Sequence, residues 1–321
     1  MNTLKTATLN SLALHCGYPT ASTKAARVAA MANYDAFFSS LPASPTIVSV
    51  DVGIKNFSYC KVAHSDTQVS IVDWNHLNLH EKYGSTYRPR TTDPDSLVDS
   101  KAYMAHMSVG VVNDILMPQG RWPDIITIEN QRTRSNGKTS TLPNVLLNFT
   151  LENMIYAACE ARGASTHRVA VMPMNSNKMV NFWISRFVNK SSGMSSAHSK
   201  TLRTQLLFGW LSHPNHSPFD LQLPSLPLDF AQLSYRKQTS ALLQLLKFET
   251  RPKKVDDLVD CLLYNLMCLL QLRHHRELKQ AQQDGHDIAE LVRHWDSLHC
   301  RYLRPLLAST ELELAGEYSR D

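Results

Sequence analysis

The sequence has no Cys-x-x-Cys pair, no cysteine with a neighbouring histidine at zinc spacing, and no apolar run near the length that spans a bilayer. Its six cysteines (Cys16, Cys60, Cys159, Cys261, Cys268 and Cys300) therefore suggest neither a disulfide framework nor a zinc module, and fit a reducing compartment. A soluble chain without a membrane partner is expected. No acidic residue precedes Asp35, while Lys5, Lys24 and Arg27 are scattered among Ser, Thr and Ala. That is the composition of a mitochondrial transit peptide, and it excludes nothing else about the segment. No internal repeat is visible.

What is present is enough for one substantial core: 321 residues, 43% of them hydrophobic. The formal net charge of +5 favours an anionic partner without naming it. The run Ser39-Ser40-Leu41-Pro42-Ala43-Ser44-Pro45 has the composition of a linker and places a boundary between residues 1–42 and 43–321. Beyond it, 46–52, 55–62 and 69–77 are predicted strands. A helix over 97–117, a buried strand over 124–129, a helix over 142–162 and a strand over 169–172 follow. Ser176 is the expected cap of a helix reaching about Val188, and 190–199 is a Ser-rich stretch expected to be mobile. Pro214, Pro218, Pro224 and Pro227 predict an irregular loop over 212–229. Helices are expected from about Phe230, over 255–283, and over 288–307.

Three segments carry carboxylates where an apolar element ends. Asp51 closes Ile47-Val48-Ser49-Val50, with Gly53 just after it. Glu129 closes Ile125-Ile126-Thr127-Ile128. Asp256, Asp257 and Asp260 head an apolar helix, where Asp260 shares a face with Asp256 (i, i+4) or Asp257 (i, i+3). A turn-forming Asp, a buried salt bridge and a helix-dipole interaction account for these acids one at a time. They account less well for Asp260, a turn into the helix among Val259, Cys261 and Leu262. Repelling carboxylates on a buried helix suggest a cation. Carboxylates from three separate segments are what phosphodiester hydrolysis by two Mg²⁺ ions requires, with Mn²⁺ able to substitute and no organic cofactor needed.

Asp51-Val52-Gly53-Ile54-Lys55-Asn56, Ile128-Glu129-Asn130-Gln131-Arg132-Thr133-Arg134 and Lys253-Lys254-Val255-Asp256-Asp257-Leu258-Val259-Asp260 resemble, in order, the three signature blocks of the fungal mitochondrial cruciform-cutting resolvases, relatives of bacterial RuvC. The resemblance implies an α/β fold of RNase H-like type, a mixed sheet flanked by helices. It also implies resolution of four-way (Holliday) DNA junctions by a homodimer in mitochondrial recombination. Asp51, Glu129, Asp257 and Asp260 would be the metal ligands, with Asp256 the alternative to Asp257. A catalytically inert protein that binds branched DNA, or an RNase H acting on RNA–DNA hybrids, are the rival readings.

For gripping phosphates the candidates are Gln131, Arg132, Arg134 and Lys138 beside Glu129, and Lys253 and Lys254 before the acidic helix. At the N-terminus Leu9, Leu12 and Leu14 precede Cys16-Gly17-Tyr18-Pro19-Thr20-Ala21-Ser22-Thr23-Lys24, and a second short helix is expected to run to Tyr34. This resembles the SAP helix-extended-helix DNA-binding module, with Ser22 where glycine is usual and Arg27 where an aliphatic is common. Lys24 would then meet phosphate. The transit-peptide reading of the same residues stays open.

Overall fold

A computed structural model describes residues 4–19, 23–91, 97–131, 143–189, 196–224, 226–248, 252 and 255–318. Helices α1 (Thr6–His15) and α2 (Lys24–Ser39) come first, the second capped by Thr23, whose hydroxyl accepts from the Ala26 N–H. Then come β1 (Thr46–Asp51), β2 (Phe57–Ser65) and β3 (Gln68–Leu77), a short helix α3 (Leu79–Tyr83), and α4 (Leu97–Val111), which ends in a π-turn over Val112–Leu116. β4 (Ile125–Glu129), α5 (Pro143–Ala161), β5 (Ala170–Met174) and α6 (Ser176–Val180) follow. The chain closes with α7 (Ser196–Ser212), β6 (Asp220–Gln222), α8 (Tyr235–Leu245), α9 (Val255–Gln283) and α10 (Ile288–Ser309).

The strands form one mixed sheet in the order β5-β4-β1-β2-β3-β6. β1 to β3 are an antiparallel meander, while β4 lies parallel to β1, β5 parallel to β4, and β6 parallel to β3. Side chains alternate between faces with period 2. Val48, Val50, Ile126 and Ile128 point to the core under α4 and α5. Ile47 and Ile125 point to the opposite core, beneath α9. Helices cover both faces, the α/β arrangement expected of an RNase H-like chain.

α9 is buried over almost its whole first two-thirds, a helix that is apolar nearly all round and so must be enclosed. Its position over β1 and β2 is fixed by a polar pin. The Asn265 amide donates to the Cys60 carbonyl at 2.9 Å, and its oxygen accepts from Ser49 Oγ at 2.6 Å, all fully buried. Ser49 in turn bonds Thr127 on β4. Trp74 and Trp183 donate their indole N–H groups to the Leu258 and Leu263 carbonyls. Asn265→Leu, which removes the amide that ties α9 to Ser49 and Cys60, is expected to cost about 1–3 kcal/mol, read by thermal or urea unfolding.

Three local expectations are corrected. The residue that caps α6 is Asn175, whose side chain accepts from the Lys178 N–H, and not Ser176. Ser196–Ser199, expected in a mobile stretch, begin α7. The proline-bearing loop contains β6, a three-residue strand that extends the sheet on β3. It is too short and too interrupted by proline to show a period.

The Ser/Pro-rich segment joins α2 to β1, but the helix pair is not packed as a separate body. Leu9, Leu12, Ala13, Cys16, Met31 and Phe38 belong to the same buried cluster as α9 and α10. His15 bonds Asp296 at 2.8 Å, and Tyr18 bonds His275 at 2.6 Å.

Candidate active site

Asp51 and Glu129 stand at the carboxyl ends of neighbouring parallel strands, each following the last residues that pair these two strands with each other, Val50 and Ile128. Parity decides where they point. Asp51 is in phase with Ile47 and Ser49, and Glu129 with Ile125 and Thr127, so both side chains face α9. α9 crosses this face with its acidic end at the same edge of the sheet. Asp257 and Asp260 are 5% and 4% exposed, while Asp256 is half-buried. The carboxyl end of a parallel strand pair is where α/β folds open their ligand crevice.

The electrostatics show how tightly these groups are coupled. Burial pushes the Asp260 carboxyl well above the usual range; the Arg203 guanidinium opposes this, and the charges of Glu129, Asp256 and Asp257 reinforce it. Arg203 Nη2 lies 3.0 Å from Asp260 Oδ2. Asp260 Oδ1 is buried without a hydrogen bond. One turn further along α9, burial raises the Tyr264 phenol, and so do the charges of Glu129, Asp260 and Asp51, which places all three carboxylates around one hydroxyl.

α7 supplies the balancing cations. Lys200 pairs with Asp256, and its Nζ is 3.8 Å from Asp257 Oδ1. Burial works against the Lys200 ammonium, yet the bond and charge of Asp256 prevail and raise its pKa. Burial likewise works against the Asp256 carboxylate, but Lys200 holds it below the usual range. On the other side of Glu129, Glu152 on α5 accepts the Gln131 N–H at 2.8 Å. Burial raises the Glu152 pKa, and the charge of Glu129 adds to it.

Thus Asp51, Glu129, Asp257 and Asp260 are brought together, and Asp256 joins them turned toward Lys200. Gln131 is tied to the site by its backbone. Lys24 is elsewhere, at the start of α2. Arg132, Arg134, Lys138, Lys253 and Lys254 lie outside the described residues. Sequence reasoning missed Lys200, Arg203, Glu152 and Tyr264. The i, i+3 spacing of Lys200 and Arg203 is a usable signal, but it lies beside a stretch whose composition reads as mobile. Glu152, an acid flanked by Leu151, Met154 and Ile155 in the helix over 142–162, is the other.

Among the described residues, no group of three or more His, Cys, Asp or Glu side chains is arranged to hold a metal ion. Lys200 and Arg203 take up oxygens of the carboxylates instead. The donor set is nonetheless all oxygen, with Asp260 Oδ1 unmatched and acids outnumbering the cations that face them, which suits a hard divalent cation.

The family model described as "Mitochondrial resolvase Ydc2 / RNA splicing MRS1" matches residues 47–278. The mitochondrial cruciform cutting endonuclease 1 of Saccharomyces cerevisiae is 27% identical over 177 residues, 50% of this chain and 47% of the relative. Its namesake from Schizosaccharomyces pombe is 29% identical over 161 residues, 47% of this chain and 58% of the relative. The chain therefore spans about half the length of the curated relatives it matches. The crystal structure of the yeast mitochondrial Holliday junction resolvase Ydc2 superposes with a TM-score of 0.53 at 19% identity, covering 88% of this chain and 100% of that one, a likeness of fold.

Proposed function

The chain belongs to the mitochondrial resolvase Ydc2 / RNA splicing MRS1 family, and from that premise we propose that it is a metal-dependent endonuclease that resolves four-way DNA junctions in mitochondria. The observation that carries this reading is the meeting of Asp51, Glu129 and the α9 aspartates, from three distant chain segments, at one edge of the sheet. Such a cluster is expensive to maintain as mere structure, since like charges on a buried face repel. The named activity of the relatives, cruciform cutting, agrees with it.

In this proposal Asp51, Glu129, Asp257 and Asp260 hold two Mg²⁺ ions, with Mn²⁺ able to replace them. The ions supply an activated water and stabilisation of the leaving 3′ oxygen. The protein's own groups do the rest. Asn265 and the two indoles fix the height of α9 over β1, so the α9 carboxylates meet those of the strands. Arg203 and Lys200 keep the acids gathered before DNA arrives. Glu152 anchors the backbone at Gln131, the residue that precedes Arg132 in the sequence. Arg132, Arg134 and Lys138, with Lys253 and Lys254, grip phosphates.

We further propose that residues 1–42 form a SAP-like DNA-binding unit that stays with the nuclease, residues 43–321. The core shared by α1, α2, α9 and α10 supports retention over removal as a transit peptide. Two equivalent nicks in a two-fold substrate call for a homodimer.

The test is purified protein with a four-way junction, a linear duplex and an RNA–DNA hybrid. Cleavage of the junction alone, dependent on Mg²⁺ and stopped by chelator, is expected. Mg²⁺ at a hundredfold over its Kd should also stabilise the fold by about 2.7 kcal/mol, seen as a higher melting temperature without any DNA. Cutting in excess chelator would remove the metal from the proposal, and preferential cutting of the hybrid would change its substrate.

A further inference from the structure

Between the N-terminal helix pair and the outer edge of the sheet lies a cleft of about 970 Å³. Its floor is the edge strand β5, through Met172 and Met174, and one wall is α2, presenting Tyr34 and Phe37. The cleft begins where the carboxylate strand ends. Asn130, the residue after Glu129, lines it and donates its N–H to the Met174 carbonyl at 2.7 Å.

The lining has a definite chemistry. Tyr34 and Phe37 offer ring faces, with centroids 6.4 Å apart, and Tyr34 is 40% exposed. The side-chain amides of Asn33 and Asn181 offer paired donors and acceptors, while Asn175 has its oxygen engaged by the Lys178 N–H and Gln271 donates its amide to the Leu14 carbonyl. Lys178 stands exposed at the rim, and Arg186 lies deeper, tied to Asp296 at 3.2 Å. No aspartate or glutamate is among the described lining residues, although the acidic cluster starts one residue away.

Aromatic faces, amide groups and cations without a carboxylate match the three parts of a nucleotide: a π face, a hydrogen-bonding edge and a phosphate. A purely apolar ligand would give the Asn33 and Asn181 amides and the Lys178 ammonium nothing to bond. A base still paired in a duplex hides the edge that the amides would read. We propose that this cleft takes unpaired nucleotides of the DNA strand that passes through the active site, released at the crossover where pairing ends. The inference rests on the junction-cutting reading for the source of the strand, while the cleft's affinity for single-stranded DNA stands on its lining alone. It also gives the N-terminal pair a second role: α2 stacks bases here, in addition to the phosphate contact proposed at Lys24.

The experiment uses the full chain in EDTA, so that DNA is bound and not cut. A short single-stranded oligodeoxynucleotide is titrated by fluorescence anisotropy against wild type, Tyr34→Ala and Lys178→Ala. Junctions carrying 2-aminopurine at positions around the crossover are followed by emission. Tyr34→Ala is expected to weaken single-strand binding about tenfold and to lose the wild-type quenching of 2-aminopurine. Lys178→Ala is expected to lower the salt slope by about 0.7. Melting temperatures should hold, since both side chains are exposed. Unchanged single-strand affinity and unchanged quenching in both variants would overturn the proposal, and tighter binding of the matching oligoribonucleotide would overturn its assignment to DNA. Wild type that leaves junctions uncut with Mg²⁺, yet binds single strands through Tyr34 and Lys178, would sink the nuclease reading and leave the cleft standing.

Discussion

Asp51→Asn, Glu129→Gln and Asp260→Asn are each expected to lower single-turnover junction cleavage by about 10³-fold or more while junction binding survives or tightens. In the proposed site the carboxylates would stand where the scissile phosphate approaches, so without metal they would repel it, and an amide of the same shape would remove that repulsion. Cleavage fails because a neutral amide is a poorer ligand for a hard cation, and both the activated water and leaving-group stabilisation depend on metal placement. Asp260 needs a separate control. Its carboxylate holds the buried Arg203, and a charge left alone in the interior is costly. Asn keeps an oxygen acceptor for Arg203, so Asp260→Asn should remain folded where Asp260→Leu would not. If these acids were only turn formers or helix caps, activity would fall just as far as the folded fraction falls. Melting, junction affinity and cleavage on the same variants distinguish the two, and a folded variant that cuts near the wild-type rate strikes that residue from the site.

The second large effect is acid instability centred on histidines. His15 on α1, His274 on α9 and His299 on α10 converge at the junction of the three helices, with ring centroids 4.9 Å apart for His15 and His274 and 6.2 Å for His15 and His299. Burial holds all three well below the usual histidine range, and the Arg186 guanidinium lowers each further. They are therefore neutral in the folded protein, whereas the unfolded chain takes up protons as pH falls through about 6.5. Their contribution is complete above that pH and is lost progressively below it, at up to about 1.4 kcal/mol per pH unit for each histidine and about 4 kcal/mol per unit for three. Asp296, whose pKa burial raises against the pull of Arg186, acts in the opposite sense, as do Asp260 and Glu152, whose carboxyls burial also raises. The melting temperature should thus drop steeply between pH 7 and 5. His299→Phe, placed among Phe182, Trp183 and Phe187, should reduce that slope by about a third. A melting temperature flat over this interval would show that the cluster opens to solvent, and that α1 is not held as described.

Much of the site is legible in the order of residues alone because its parts obey local rules. Acids that interrupt apolar strands at Asp51 and Glu129, and an acid a turn inside an apolar helix at Asp260, contradict the surrounding pattern, and such contradictions mark function. The bounds of α9, and those of the strands β1 to β5 to within about three residues, follow from apolar patterning, which is local too. β6 and the cap at Asn175 escape such reading, because a three-residue strand shows no period and neighbouring polar residues compete equally for a cap. Lys200, Arg203 and Glu152 carry only weak signals as site residues, for a different cause. Their chemistry is ordinary for helices, and only packing gives them a partner.

The sequence by itself determined the element order apart from α3 and β6, the acids and their phase: alternation along each strand puts Asp51 on the face of Ile47 and Ser49, and Glu129 on the face of Ile125 and Thr127, whatever the fold. Which face that is, and what lies over it, only the tertiary structure decided. Sheet order sets β4 beside β1, and the buried Asn265 pin sets α9 at the height where Asp257 and Asp260 reach the strand ends. The same packing lays α1 and α2 against α9 and α10 and leaves the cleft beside Asn130. These are contacts between residues some 80 to 280 positions apart, as from Trp183 to Leu263 and from His15 to Asp296. No window of neighbouring residues encodes them, since they follow from where whole apolar faces must be buried.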